Sequence, residues 1–315
     1  MNTNNILNSN INRETKSQVI KNNWETNYRV DNILSMPDRN LNYKEVSEKL
    51  VLQLKEYLKE SGQKWFVVWV SGWVDSALVS TLCAMTWEKL TVMDLPIHQR
   101  QEEVSRASNH MDWLQKKFSN VERFSVDLTQ TFETFKKALP EIDDEITRYI
   151  AYVNTRSRLR AVSLYAIWNE KNHLVVWTWN RVEDYWVWFF TKYWDGAVDI
   201  SPIWNLYKSE VYEMAKFLWV NDEILNARPT DGLHPDGATD EDQIWATYDE
   251  LEWAMKEYDD FCFTLVSNWL FWDDKKATKR FIESFSWRKK EVMEIYLARH
   301  FANRHKMQMP KVFEI

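Results

Sequence analysis

The stretch "VVWVSGWVDSALVS", residues 67–80, constrains this chain more than any other. A run of β-branched and aromatic residues stops at Ser71-Gly72 and restarts behind Asp75 and Ser76 with helical spacing, so a buried strand must pass directly into a helix. That is the layout of a phosphate-binding loop, where backbone N–H groups at a helix N-terminus face an anion. Trp69 and Trp73 stand in it. Glycine reaches φ > 0 and lets the backbone approach the anion, and indole allows neither easily. The bland reading is a strand-to-helix turn capped by Asp75 or Ser76. The oddity is general, because the chain carries 19 Trp and 5 Gly in 315 residues, whereas glycine ordinarily makes up roughly 7% of a protein.

Around this loop the chain alternates. Short β-rich runs at 65–70, 90–95, 121–127 and 173–178 are separated by helical stretches, which predicts an α/β fold with a doubly wound parallel sheet flanked by helices. Ligands of such sheets bind beyond the carboxyl ends of the strands. The loop at 71–76 and the segment "WTWNRVED", 177–184, both lie at such ends and are expected to converge on one crevice. Val46, Leu50, Leu54 and Leu58 mark an amphipathic helix that opens the ordered fold. Residues 1–40 are Asn-rich and polar and predict a mobile arm, with one domain over 41–315. Beyond residue 206 two further helices are expected, "LYKSEVYEMAKFL" and "DEDQIWATYDELEWAM".

Several classes are excluded. A net charge of -7 argues against a general nucleic-acid binder and for small-molecule partners. No apolar run has membrane-spanning length, and the first twenty residues lack the apolar core of a signal peptide. Cys83 and Cys262 lie far apart with no Cys/His grouping, so neither a disulfide scaffold nor a zinc site is expected, and a reducing cytoplasm fits.

With glycine read at 73, Ser71-Gly72-Trp73-Val74-Asp75-Ser76 becomes SGGxDS, which resembles the pyrophosphate loop of the N-type ATP pyrophosphatases, the PP-loop superfamily. The blocks "FFTKYWDGAVDISPIWNLYKSEVYEMA", "ARPTDGLHPDGATDEDQIWATYDEL" and "HKMQMP" then resemble, in order, ammonia-dependent NAD synthetases from about residue 45 onward. This resemblance implies a ligase that joins ATP to the nicotinate carboxylate of deamido-NAD, releases pyrophosphate, and lets ammonia displace AMP from the acyl-adenylate. It implies Mg2+ held by Asp75 and Glu183, hard carboxylates of the kind magnesium takes beside phosphates. It places Ser71, Gly72, Trp73, Val74, Asp75, Ser76, Thr178, Lys208 and Thr230 at ATP. It places Arg158, Lys192, Asp199, His305 and Lys306 at deamido-NAD, with Asp75 and Asp199 nearest the chemistry. Asp199 either orients substrate or helps ammonium shed a proton. A homodimer is also implied. Free ammonia or a separate partner is expected to supply nitrogen, since no nucleophilic cysteine domain precedes residue 45 and Cys83 reads as a small core residue. Each of these residues has a plainer reading: Glu183 as a solvated loop charge, Lys208 as an exposed lysine, and Arg156, Arg158 and Arg160 as a basic stripe on a long helix.

The likeness is close when Trp is read as Gly at 69, 73, 177, 188, 194 and 245. Real indoles there carry overpacking costs of roughly 1–3 kcal/mol each, and left-handed backbone adds about 1–2 more. Three readings follow. A genome that assigns UGA to glycine, translated with a table that assigns it to tryptophan, replaces some glycines and always by Trp. A pseudoenzyme or nucleotide-binding subunit keeps the fold with a blocked loop. Another PP-loop ATP pyrophosphatase would have to do without the blocks around Lys192 and Thr230, and both are present.

Overall fold

Four short strands, Trp65–Trp69 (β1), Lys89–Asp94 (β2), Val121–Ser125 (β3) and His173–Val176 (β4), pair in parallel in the order β3-β2-β1-β4. The computed structural model describes residues 40–186, 191–194, 198–228, 241, 244–267, 275–303 and 306. β1 pairs with β2 from Trp65↔Lys89 to Trp69↔Met93, and with β4 from Trp65↔His173 to Val68↔Val176. Phe66, Val67 and Val68 are fully buried, as strands covered on both faces must be. Alternation along β1 sends Phe66 and Val68 into one core cluster and Val67 into the other. The chain winds from β1 outward through β2 to β3 and then returns to the far side of β1. The order therefore reverses between β1 and β4, and the crevice beyond their carboxyl ends is the switch point where such sheets bind ligands. The predicted strands are all present.

Ten helices are described: Tyr43–Glu60 (α1), Val74–Met85 (α2), Gln101–Lys117 (α3), Thr129–Ala138 (α4), Glu145–Lys171 (α5), Lys208–Phe217 (α6), Asp222–Leu225 (α7), Tyr248–Ser267 (α8), Lys275–Glu283 (α9) and Trp287–Asn303 (α10). Asn42 starts α1 by accepting from the Glu45 N–H at 3.4 Å and donating to its carboxylate at 2.8 Å. Leu54 and Leu58 are buried, with Val46 and Leu50 packed against the same cluster, as their spacing predicts. α2 is buried from Val74 to Ala84, so the phosphate-type loop sits on a helix that cannot shift without disturbing the core.

The expected helix over 240–255 is broken. Trp245 takes φ 67, and α8 restarts at Tyr248 behind a reciprocal cap. There the Thr247 N–H donates to Glu250 Oε2 at 2.9 Å while the Glu250 N–H donates to Thr247 Oγ1 at 3.3 Å. This Thr-x-x-Glu capping box outweighs the continuous periodicity of the segment.

Among the described residues, 256–267 and 275–281 belong with Asn40 to a smaller compact unit, within which the rings of Phe261 and Phe281 stack at 4.2 Å and Tyr258 lies 6.0 Å from Phe261. The other described residues, from Leu41 to Met255 and from Ile282 onward, form the larger unit. The arm expected over 1–40 lies outside the described residues except for Asn40. Among the described residues no helix is long and apolar enough to cross a membrane.

Candidate active site

Between β1 and α2 the chain folds around one hydroxyl. The Ser71 N–H donates to Ser76 Oγ at 3.1 Å, the two serine hydroxyls meet at 3.0 Å, and Ser76 Oγ donates to the Trp73 carbonyl at 2.9 Å. Gly72 has φ +88, and a Cβ there would lie 2.7 Å from the Glu103 carbonyl oxygen, so this position admits only glycine. Trp73 differs from expectation. Its backbone is extended, with φ -111 and ψ 161, so the objection to indole at 73 is bulk and not torsion. The ring lies 4.4 Å beneath the Arg106 guanidinium, whose Nε donates to the Gly72 carbonyl at 3.3 Å. Neither Asp75 nor Ser76 caps α2, so the simple capped turn is not what forms.

Asp75 instead turns toward the far side of the crevice. Lys208, the first residue of α6, is 2% exposed and places Nζ 2.6 Å from Asp75 Oδ2 and 2.8 Å from Glu183 Oε1. Asn180 donates to both carboxylates, to Asp75 Oδ1 at 3.0 Å and Glu183 Oε2 at 2.8 Å. Its own Oδ1 accepts from the N–H groups of Val182 and Glu183, at 3.0 Å each, which starts the π-helical turn Arg181–Trp186. The Tyr248 hydroxyl on α8 donates to Glu183 Oε1, and its ring lies 5.2 Å from Lys208 Nζ. A further tie holds α8 to the start of α6: Glu252 accepts from the Ser209 N–H at 2.9 Å and hydroxyl at 2.7 Å.

The electrostatics of this group follow from burial and a charge mismatch. Burial alone would lower the Lys208 pKa, but Asp75 and Glu183 raise it well above the ordinary value. Glu183 also pays desolvation, yet Lys208, Tyr248 and Asn180 hold it below the usual carboxylate range. Asp75 goes the other way, raised by burial more than Lys208 lowers it, with Glu183 adding repulsion. One ammonium between two buried carboxylates satisfies one of them. The group is one positive charge short, and a cation of higher charge or a shared proton would complete it.

The other predicted residues are distributed unevenly. Thr178 is half-buried in the segment that follows β4, between Trp177 and Asn180. Asp199 is exposed and runs beside β4, accepting from the Val175 N–H at 2.8 Å and from the Tyr165 hydroxyl at 3.3 Å. Its described bonds thus go to β4 and α5, and none joins the Lys208 group. Arg158 is exposed and donates to the Lys192 carbonyl at 3.2 Å, so these two meet through backbone. Arg156 and Arg160 are not a solvated stripe: both are buried and donate to the carbonyls of Ile97 and Leu95 after β2. Lys306 is partly buried. Thr230, His305 and Trp188 lie outside the described residues. Sequence reasoning missed Asn180, Tyr248 and Arg106. Asn180 had a signal, since it opens an Asn-x-x-Glu pattern of capping type. Tyr248 had none, because nothing local tells which turn a tyrosine will face.

Three indoles fill the switch point itself. Trp69 ends β1 and Trp177 follows β4; their rings lie 5.9 Å apart at 18°, and Trp194 stands 4.4 Å from Trp177 and 5.6 Å from Trp69. The Arg160 guanidinium covers Trp69 at 5.0 Å. The cleft that borders Trp69, lined also by Ser71, Asp94, Gln99 and Glu103, has a volume of about 20 Å³.

A parallel sheet wound in this order, with a Ser-Gly loop at its switch point, has the fold of the PP-loop adenine-nucleotide α-hydrolases, a class of nucleotide-handling α/β proteins. Residues 46–310 match the model of one family in that class, described as NAD synthase, and the chain belongs to that family. It is 33% identical to the NH(3)-dependent NAD(+) synthetase of Mesoplasma florum over 66% of this chain and 83% of the relative. Identity to the same-named protein of Thermococcus sibiricus is 36% over 68% of this chain and 80% of the relative. Among solved structures, NMN synthetase from Francisella tularensis superposes with a TM-score of 0.69 at 27% identity, over 88% of this chain and all of that one. The NH3-dependent NAD synthetase of Campylobacter jejuni gives 0.64 at 22% identity, over 87% of this chain and all of that one, a likeness of fold.

Proposed function

We propose that this protein catalyses the ATP-dependent amidation of deamido-NAD by ammonia, through an acyl-adenylate, to give NAD, AMP and pyrophosphate. The observation that carries the reading is the Asp75–Lys208–Glu183 group facing the serine-glycine loop in a chain of the NAD synthase family. ATP lies along residues 71–76 with Thr178, Lys208 and Thr230. Deamido-NAD takes Arg158, Lys192, Asp199, His305 and Lys306. Mg2+ fits the donor set: two hard carboxylates, short of one positive charge, plus substrate phosphates are what magnesium binds. Asp75 and Glu183 would hold it, and it would supply charge neutralisation at the transferring phosphates.

The chain's own residues do the rest. Asn180 fixes both carboxylates, Lys208 is a cation held ready at the loop, and the α2 N-terminus leaves backbone N–H groups without side-chain caps for pyrophosphate oxygens. Asp199 lies on the β4 side of the crevice, where it serves the nicotinate end by orienting substrate or taking a proton from ammonium. A homodimer is part of the proposal, with exposed Ile146 and Ile150 on one face of α5 as apolar surface available to it. A cytoplasmic location accords with two free thiols at Cys83 and Cys262.

The test is direct. Purified protein with ATP, Mg2+, ammonium and deamido-NAD should form NAD and pyrophosphate in equal amounts, and Asp75→Asn should abolish both. The likeness to NMN synthetase supports a second reading, in which the carboxylate that is adenylated and amidated belongs to nicotinate mononucleotide. Comparing kcat/KM for the two acids decides between them.

A further inference from the structure

Seven residues other than glycine have positive φ among the described residues, and four are tryptophan: Trp87 (φ 62), Trp219 (φ 65), Trp245 (φ 67) and Trp287 (φ 51). For a bulky residue this region is a genuine outlier. Three of the positions share a cause. Trp219 follows α6 in a complete Schellman arrangement, its N–H on the Lys216 carbonyl at 3.1 Å and the Val220 N–H on Ala215 at 3.0 Å. Trp87 closes α2 through the Ala84 carbonyl at 3.1 Å, and Trp245 ends its turn through Glu241 at 2.8 Å. Trp287 is the first residue of α10 and shares only the torsion. The other three are the places, at or just past a helical C-terminus, where helices take glycine. Packing compensates little, for the four are 62%, 79%, 75% and 92% exposed in sequence order, with Trp87 edge-on to Phe118 at 5.5 Å.

A second, independent observation concerns Trp69, Trp177 and Trp194. Their backbones are not left-handed, but their rings occupy the switch-point crevice. The cleft that borders Trp69, on the side toward β2, has a volume of only about 20 Å³, far below the roughly 300–1,000 Å³ of ordinary ligand sites. Trp73 adds bulk in the phosphate-type loop. Other tryptophans behave as tryptophan should. Trp65 sits on β1 with Lys89 Nζ at 4.6 Å and His173 at 5.4 Å. Trp113 stacks on His110 at 5.5 Å under Lys117 at 4.6 Å, and Trp253 meets Phe285 at 5.2 Å and Lys289 at 5.0 Å.

We infer that the protein made in its native cell carries glycine at 69, 73, 87, 177, 194, 219, 245 and 287, and tryptophan at 65, 113 and 253. The first set would be encoded by UGA read as glycine, the second by UGG. For Trp69, Trp73, Trp177 and Trp194 the inference rests on the nucleotide-site reading; for the four helix-end positions it rests on backbone torsion alone. Glycine at 69, 177 and 194 opens the crevice between β1 and β4 to a nucleotide.

One tryptic peptide, residues 65–89, holds members of both sets: Trp65 beside Trp69, Trp73 and Trp87. Mass spectrometry of that peptide from natively produced protein should show tryptophan at 65 and glycine at 69, 73 and 87, with UGA codons at those three and UGG at 65. Tryptophan at all four, or UGG throughout, overturns the inference, and where neither acid is amidated it makes the blocked, pseudoenzyme form the real one. The outcomes stay separable from the proposed reaction. Glycine with no amidation of either acid sinks the activity and leaves the inference standing. Tryptophan with amidation does the reverse.

Discussion

At the scale of single residues, the buried charge group and one buried histidine give opposite kinds of prediction. Removing Lys208 strands two carboxylates that cannot both stay ionised in the interior, so Lys208→Met should destabilise by about 3–5 kcal/mol. Asp75→Asn leaves Lys208 paired with Glu183 alone and should keep the fold while losing turnover, which calorimetry and a pyrophosphate-release assay measure separately. Tyr248 acts through Glu183, so its effect should fall on metal use. Tyr248→Phe is expected to raise the half-saturating Mg2+ concentration roughly 10–100-fold, the scale seen when a ligand's supporting partner is lost, with a smaller change in KM for ATP. A drop in kcat that saturating Mg2+ does not restore would count against that role. His110 is a stability group. Its Nε2 meets Ser80 Oγ at 3.0 Å, and burial pushes its pKa down to about 3 from 6.5. Between those values the unfolded chain binds a proton that the folded chain refuses, so the histidine's contribution is intact above pH 6.5 and is lost as pH falls toward 3. The expected slope in that window is roughly 1 kcal/mol per pH unit. His110→Gln should flatten it by one proton in urea titrations at stepped pH.

At the scale of elements, helix ends decide more than helix middles. A tryptophan in the left-handed region costs about 1–2 kcal/mol, while glycine in its place adds unfolded-chain entropy worth about 0.4–1 kcal/mol. The first term wins. Trp219→Gly should therefore stabilise by about 0.5–1 kcal/mol, visible as a rise in Tm on the order of 2 °C for a chain of this size. The same change at Trp87 and Trp245 should add to it nearly independently, since the three close different turns. Trp113→Gly is the contrasting case. It lies inside α3 among packed rings, and it should lose more than about 1 kcal/mol, the helix-interior penalty of glycine alone. Thr247→Ala tests the cap that broke the expected helix. It should cost about 1 kcal/mol and fray the start of α8, which carries Tyr248 to the site.

At the scale of the whole molecule, the parts legible in the sequence are those set by local pattern. The four strands, α1 and the loop at 71–76 follow from runs, periodicity and one Ser-Gly turn, and Asp75, Glu183 and Lys208 followed from motif resemblance. Their convergence on one ammonium did not, because it depends on how α2, the Arg181–Trp186 turn and α6 meet across the sheet. Nor did the burial of Arg156 and Arg160, which is decided by the carbonyls that β2 leaves at its end. The tryptophans were legible as an anomaly, but torsion was needed to sort them. That sorting has a consequence for the molecule as a unit. A ligand that binds only the folded chain stabilises it by about 2.7 kcal/mol at a hundredfold excess over Kd. If glycine at 69, 73, 177 and 194 opens the crevice, a chain carrying those glycines should gain a Tm rise with Mg-ATP, and a further one with deamido-NAD. The chain with four indoles should show neither while retaining the same circular dichroism. Equal ligand-induced shifts in both would mean that nucleotide binds somewhere other than the crevice between β1 and β4.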